Sequence, residues 1–291
     1  MKQMNRLTLS ILLLGMLSTA SAQLEVGLEM KRNIFMRGEP IEATVTIRNL
    51  AGKDVVLRDA EGSQWFGFEI MKGSDTPIGP LEADYKNDPQ IVLNGGSIRR
   101  TVNLLRLYPI SDYGTYTVRA AIFFHETGKF ITSAPLRVDI SEGRKLWTQT
   151  VGVPGAKEGA GDYHVVSLLS FQQPKEMTLY ARVEDEKTGV VFGTYPLGRL
   201  LGGTTPGHEF DPENTLHVFH MVGPGQYYLS KIGVNGEWLG QTVWQAPKGR
   251  AAVRRKEDGR MVIVGATRAV EKVEPGPEVP RLSDRPMALP K

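Results

Sequence analysis

Cysteine is absent from this sequence of 291 residues, and its absence excludes several kinds of chemistry. A chain without thiols forms no disulfide, offers no thiol nucleophile, and builds neither a cysteine-ligated zinc site nor an iron–sulfur cluster. It also carries no lipid on a cysteine behind a signal sequence. Stability must therefore come from the burial of apolar side chains.

Long apolar runs are also missing, apart from a short one near the N-terminus. Lys2 and Arg6 precede the mainly apolar stretch Leu7–Leu17, and Ala20-Ser21-Ala22 then supplies an A-x-A cleavage pattern. This order is typical of a secretory signal peptide, and its apolar part is shorter than the roughly 20 residues of a membrane-spanning helix. We predict a signal peptide over residues 1–22 and a periplasmic or secreted protein without a transmembrane segment after cleavage.

The sequence has no strong excess of one charge. Its 35 Lys and Arg residues oppose 32 Asp and Glu residues, and loss of two basic residues with the signal peptide lowers the formal net charge from +3 to +1. Phosphate binding requires a positive field that such a balance does not supply. The sequence therefore predicts no nucleic-acid partner.

What the sequence does contain is a clear two-residue periodicity. Apolar and polar residues alternate in Leu24–Met30, Ile41–Ile47 and Tyr116–Phe124. Alternation of this kind predicts strands with one buried face, as in antiparallel sheets. About seven such strands over residues 23–142 predict two sheets packed face to face as a first domain.

The segment Asp112-Tyr113-Gly114-Thr115-Tyr116 carries a resemblance to a known family. It resembles the D-x-G-x-Y signature of immunoglobulin-like domains, and Gly38-Glu39-Pro40 together with Ile47-Arg48-Asn49 is similar to bacterial members found in exported proteins. The resemblance implies a β-sandwich with a structural corner formed by Asp112, Gly114 and Tyr116. In that corner the tyrosine hydroxyl bonds to the backbone of the preceding loop. It implies no particular function, because this fold has many roles.

A second β domain is predicted over residues 143–266. Asn235-Gly236 and Asp258-Gly259 are strong signals for tight hairpins in which both turn positions have positive φ. We expect an antiparallel meander that forms a sandwich or an open barrel, with a few propeller-like blades as the least favoured alternative. The run Leu216–His220, followed by two hairpins, resembles β domains of uncharacterised exported bacterial proteins, a resemblance that implies no activity.

Residues suited to catalysis or metal binding do not form a convincing pattern. His217 and His220 are three apart in a predicted strand, so their side chains point to opposite faces, and we expect one inward and one exposed histidine. His208–Asp211 has the composition of a ligand cluster, but it is predicted as a polar loop. Glu184–Glu186 precedes a turn. We therefore predict no catalytic residue, no metal ligand and no cofactor.

Two surface features remain as possible binding sites. Trp238 and Trp244 are six residues apart in one predicted strand, which places them on one face, and Tyr227 or Tyr228 is expected on the neighbouring strand. These aromatic side chains form either a ligand or partner surface or part of the core, and we expect the core.

The other surface feature is basic. A run that we predict as a solvated hairpin contains Lys248, Arg250, Arg254, Arg255, Lys256 and Arg260. Contact with anionic lipid or polysaccharide is the alternative. Beyond it, residues 267–291 hold five of the 18 prolines and predict a disordered tail.

These observations predict an exported, non-enzymatic binding or adhesion module of the cell envelope, with an envelope protein or polysaccharide as its partner. An alternative is an inhibitor or regulator of an exported hydrolase such as a protease. The long Asp- and Pro-rich loop from Gly73 to Gln90 is the segment it would present. A third hypothesis, a hydrolase acting on envelope glycans, requires distant acidic residues to converge.

Overall fold

The computed structural model describes residues 24–82, 85–153, 163–247 and 250–269. Within these ranges the chain forms 22 β-strands and one 3-10 turn, with no α-helix. The prediction of an all-β protein is therefore confirmed. The described residues fall into two compact units. The first runs to Arg144 and includes Gly189–Thr194, and the second comprises Lys145–Thr188 and the chain from Tyr195 onward.

The first unit is built on strands β1 to β11. One sheet has the order β1-β3-β8, a second has the order β2-β11-β9-β5-β6 with β10 also paired to β9, and β4 pairs with β7. The pairs are antiparallel, except that β2 runs parallel to β11. A 3-10 turn, Leu104–Arg106, lies between β8 and β9. The strands are β1 (Leu24–Met30), β2 (Ile34–Met36), β3 (Glu42–Asn49), β4 (Val55–Leu57), β5 (Phe66–Lys72), β6 (Thr76–Ile78), β7 (Gln90–Val92), β8 (Ser97–Asn103), β9 (Gly114–Phe124), β10 (Lys129–Thr132) and β11 (Leu136–Ser141).

The two larger sheets of this unit share one hydrophobic core. Every second residue of Ile41–Ile47 and of Tyr116–Phe124 is buried, as the alternation predicts. Apolar area removed from water contributes roughly 25 cal/mol per Å² to folding, so these rows are the main source of stability in a chain without disulfides.

Tyrosine hydroxyls form hydrogen bonds with the backbone N–H and carbonyl groups on the side of β5 that faces away from β9. The Tyr108 hydroxyl accepts a hydrogen bond from the Phe68 N–H at 2.9 Å and donates one to the Phe68 carbonyl at 3.0 Å. The Tyr85 hydroxyl donates to the Phe66 carbonyl at 2.7 Å. A Cβ on the intervening Gly67 would lie 2.6 Å from the Tyr85 hydroxyl oxygen, so a side chain at this position would displace that hydroxyl. These groups therefore do not offer an edge for another strand.

The segment from Gly73 to Gln90 is anchored to the first unit at several points. It contains β6, and the Leu81 N–H donates to the Leu107 carbonyl at 2.7 Å. The Asn87 N–H donates to Asp59 Oδ2 at 2.8 Å. Residues 83–84 lie outside the described ranges. None of these contacts identifies a target, so the inhibitor hypothesis stays a prediction.

The second unit is built on strands β12 to β22. They form sheets with the orders β12-β13-β14-β15 and β16-β17-β18-β19-β22, and β20 pairs with β21. Consecutive strands are mostly neighbours, as in a meander. The strands are β12 (Arg144–Gly152), β13 (Tyr163–Gln172), β14 (Met177–Asp185), β15 (Val191–Arg199), β16 (Gly207–Phe210), β17 (Leu216–Gly223), β18 (Gln226–Ile232), β19 (Trp238–Gln245), β20 (Ala252–Arg255), β21 (Met261–Val264) and β22 (Thr267–Arg268).

The sheet that contains β17 and β18 is covered on both faces. Leu216 and Val218 pack in a core shared with β13 and β14. Phe219 packs on the opposite side with Tyr227 and with Val253 of β20. Because adjacent residues of a strand point to opposite faces, the whole run from 216 to 220 is buried.

The two Asx-Gly turns differ from the expected geometry. Only the glycines, Gly236 and Gly259, have positive φ, at 82° and 81°. The Gly233 N–H donates to the Glu237 carbonyl at 2.8 Å, and the Gly236 N–H donates to the Gly233 carbonyl at 3.0 Å. The expectation of two positive φ values is wrong, because a three-residue loop needs a left-handed residue only at its last position.

The predicted ends of the chain fall largely outside the described residues. The signal peptide, residues 1–22, lies there, and so does the tail from 270 to 291. The sequence places the start of the tail at 267, but Thr267 and Arg268 form β22 and pair with Gln245 and Trp244. Two residues are too few for an alternating pattern to reveal a strand. No helix long and apolar enough to cross a membrane occurs in the ranges that the structure describes.

Candidate functional site

A cavity of about 680 Å³ opens in the second unit. One wall is the segment Gly203–Glu209, which includes the start of β16, and the other wall is formed by residues 250–254, which include part of β20. The strands β17 and β18 contribute Phe219, Met221 and Tyr227 to its lining.

The local sequence explains how the two walls come together. Ala251 and Val253 pack in the core beside Phe219, and Arg250 and Arg254 flank them in the lining of the cavity. A Cβ on Gly207 would lie 3.4 Å from the Val253 side chain, an ordinary van der Waals distance, so β16 and β20 pack against each other at this point.

Three charged side chains of the cavity have no ion-pair or hydrogen-bond partner among the described residues: Arg250, Arg254 and Glu209. Both arginines are exposed, and Glu209, on β16, is half-buried. A guanidinium stays charged at any physiological pH. The cavity therefore offers two cationic groups and one carboxylate to a ligand. The exposed Thr205 adds a hydroxyl.

The predicted ligand cluster His208–Asp211 is dispersed by its secondary structure. His208 to Phe210 form β16 rather than a loop, so Glu209 points away from His208. The imidazole of His208 packs against Trp147 with 4.2 Å between ring centroids. The residues that the structure describes contain no group of three side chains suited to holding a metal ion.

Asp211 is hydrogen-bonded to His217, and the distance between Asp211 Oδ2 and His217 Nε2 is 2.8 Å. Burial acts to raise the pKa of Asp211, but the hydrogen bonds from His217 and from the Thr215 N–H outweigh it and hold that pKa below its usual value. This pair holds the loop between β16 and β17 against β17.

His217 and His220 lie on opposite faces of β17, as their register with Lys231 and Tyr228 shows. Both are buried, at 4% and 2% exposure, so the expectation of one exposed histidine is wrong. The reason is that both faces of this sheet are covered.

His220 belongs to the lining of the cavity, but its ring lies on the opposite face of β17 from Phe219, and neither of its ring nitrogens has a hydrogen-bond partner within the described ranges. Burial lowers the pKa of His220 to about 4, although the backbone of Arg199, outside hydrogen-bond geometry, acts in the opposite direction. The imidazole is therefore neutral at physiological pH.

The predicted aromatic surface is divided between two faces. Trp244 pairs with Tyr227, whereas Trp238 pairs with Ile232, and Leu239 is an extra residue between the two registers. Since Tyr227 and Ile232 are five apart, Trp244 and Trp238 point to opposite faces. The expectation of a shared face is wrong because a β-bulge reverses the alternation.

Exposure follows this division. Trp238 is 39% exposed and lies beside Tyr195, with ring centroids 5.3 Å apart. Trp244 is partly buried against the core that contains Tyr227. Tyr228 is partly buried on the other face, where its ring meets His220 edge-on at 6.1 Å. The four aromatic residues therefore do not form one surface.

The corner residues lie together in the first unit. The Tyr116 hydroxyl donates to the Asp112 carbonyl at 2.9 Å, and its ring is buried. Gly114 has φ of 129°, a conformation that favours glycine. The Asp112 carboxylate pairs with Lys72 at 2.6 Å.

Two predicted polar segments lie in hairpins. Asp185 Oδ1 accepts hydrogen bonds from the Lys187 and Thr188 N–H groups, so Glu184–Glu186 leads into a turn. The basic run spans β20 and the turn that precedes β21, while Lys248 lies outside the described residues.

Sequence reasoning named the charged residues of the cavity but did not bring them together. Arg250 and Arg254 belong to the basic run, and Glu209 belongs to the supposed ligand cluster. The available signals were the inward positions Ala251 and Val253 and the small Gly207. They indicate close packing but do not name the strand against which β20 packs.

No family model and no curated protein matches this sequence. The chain is similar to a solved structure of Spo0M, a sporulation control protein from Bacillus subtilis, at 10% sequence identity. The match covers 58% of this chain and 82% of that chain, with a TM-score of 0.28. Similarity at this level carries no argument about fold or function.

Proposed function

We propose that this protein is an exported, non-enzymatic binding module of the cell envelope and that its ligand occupies the cavity of the second unit. The observation that carries the proposal is the set of charged side chains there. Arg250, Arg254 and Glu209 line one concave space, and none has a partner in the described part of the chain. Concave sites with a few convergent polar groups are the usual form of ligand sites.

Export is supported by the N-terminal sequence. Lys2, Arg6, the apolar stretch Leu7–Leu17 and the A-x-A pattern at Ala20–Ala22 follow the order of a signal peptide. The mature protein would begin at Gln23.

An immunoglobulin-like sandwich is our proposal for the first unit. Supporting it are the sheet orders β1-β3-β8 and β2-β11-β9-β5-β6, the core that the two sheets share, and the hydrogen bond from Tyr116 to Asp112. In this proposal the first unit is a stable scaffold, and the ligand binds the second.

The hydrogen-bond partners of the polar residues in the cavity favour a binding function over a hydrolytic one. The Thr204 hydroxyl donates a hydrogen bond to the Leu201 carbonyl rather than to a histidine. Among the described residues, no carboxylate is hydrogen-bonded to His220 to orient its ring. Glycoside hydrolysis uses a pair of carboxyl groups, and Glu209 is the single one among the described residues of this lining.

The test is a binding screen with the mature chain against immobilised envelope polysaccharides and envelope proteins. We expect saturable binding that Arg254→Ala weakens at least tenfold. The matched control is Arg255→Ala, because Arg255 is also exposed, at the next position of β20, but is not among the residues that line the cavity. Absence of binding to every member of the screen, or equal weakening by both substitutions, would overturn the proposal.

A further inference from the structure

We infer that the ligand is an acidic glycan, a polymer of sugars that carries carboxylate groups and free hydroxyls. This inference rests on the proposed function and specifies the ligand class of the same cavity.

The arrangement of the two arginines favours a repeating anion. They stand four residues apart, which allows a separation of up to about 13 Å along the chain. At that separation Arg250 and Arg254 contact two different anionic groups more readily than they chelate one. Guanidinium groups bind planar carboxylates through paired hydrogen bonds. A polymer with one carboxylate on each sugar supplies such groups at intervals.

Glu209 in the same lining distinguishes glycans from other polyanions as ligands. A carboxylate accepts hydrogen bonds and repels anions, so a ligand near it must present hydrogen-bond donors. Sugar hydroxyls are such donors, and the exposed Thr205 in the same lining adds a group that both donates and accepts. A polyphosphate backbone has no donors to offer Glu209. The mixed charge of the cavity therefore fits an acidic glycan better than a phosphate polymer.

The experiment compares two forms of one probe by isothermal titration calorimetry at low ionic strength. The probe is oligogalacturonate, a linear glycan with one carboxylate per sugar, and its control is the fully methyl-esterified form. We expect the esterified form to bind at least tenfold more weakly than the acid. We also expect binding of the acid to weaken as salt is added, because exposed charges are screened.

Variants identify the contacts. Arg250→Ala and Arg254→Ala should each weaken oligogalacturonate binding about tenfold, and Arg255→Ala should leave it unchanged. Equal affinity for the acid and its ester would overturn this inference and leave the proposed function standing as neutral-glycan binding.

Polyphosphate is the charge-only control. We expect it to bind more weakly than oligogalacturonate at equal charge, because Glu209 opposes it. Tighter binding of polyphosphate, with Arg255→Ala as damaging as Arg254→Ala, would show unspecific attraction and overturn the inference. Failure of both probes, while the screen still yields a protein ligand, would overturn the glycan inference alone.

Discussion

At the residue scale, Tyr116 combines a buried ring with a hydroxyl that has a specific partner. We expect Tyr116→Phe to lower the free energy of unfolding by about 1 kcal/mol, because it leaves the Asp112 carbonyl without its donor. Tyr116→Ala should cost about 3–5 kcal/mol, because a cavity is added. Urea denaturation measures both. The exposed Tyr113 provides the control, since Tyr113→Phe should be neutral. A neutral Tyr116→Ala would contradict the corner assignment.

His220 makes the stability of the second unit depend on pH. Its pKa is about 4 in the folded protein and near 6.5 when unfolded. As pH falls from 6.5 to 4, the unfolded state binds a proton that the folded state does not, so stability decreases. At ~1.4 kcal/mol per pH unit the loss approaches 3 kcal/mol.

His220→Leu should remove this part of the pH dependence, which denaturation at pH 7 and at pH 4 measures. The exposed His125 is the control, and His125→Gln should retain the wild-type profile. An unchanged profile in His220→Leu would contradict the assignment.

These two residues differ in how far sequence could predict them. The partner of Tyr116 lies four positions away and belongs to a local motif. Burial of His220 depends on two layers that cover β17 from opposite sides. The sequence around residue 220 contains no local pattern that predicts these layers. Local hydrogen bonds are therefore predictable where layered packing is not.

At the element scale, the bulge in β19 decides which tryptophan stabilises the core. Alternation predicts strand existence well, as in Tyr116–Phe124, but one inserted residue reverses every later position. The local signal for this insertion is Gly240, with φ of 113°, and glycine is too common in strands and turns to mark it.

Substitution of the two tryptophans tests this geometry. We expect Trp244→Ala to lower the free energy of unfolding by about 3 kcal/mol, because Trp244 packs against the core around Tyr227. Trp238→Ala should cost about 1 kcal/mol, since Trp238 is 39% exposed. Chemical denaturation of the two variants gives the comparison, and equal losses would contradict opposite faces.

At the scale of the whole molecule, the all-β class is predictable because many alternating segments each indicate a strand. An error in one strand does not change the predicted fold class. The cavity is not predictable in this way. It needs residues 250–254 to lie against residues 203–209, and that contact spans more than forty positions without a periodic signal. Residues that are distant in the sequence and meet only through tertiary contacts can be identified only from the structure.

The burial of β17 and β18 on both faces of their sheet has a consequence for amide hydrogen exchange. Each of these strands has a neighbour on both sides, and both faces of their sheet are buried. Their amide protons should exchange only when the whole unit opens. By contrast, β22 pairs with β19 only at Trp244 and Gln245, so the segment Trp238–Thr242 has one free edge among the described strands. Mass spectrometry should find that residues 238–242 take up deuterium well before β17. Equal uptake by the two segments would show that the buried strands open as readily as the free edge of β19.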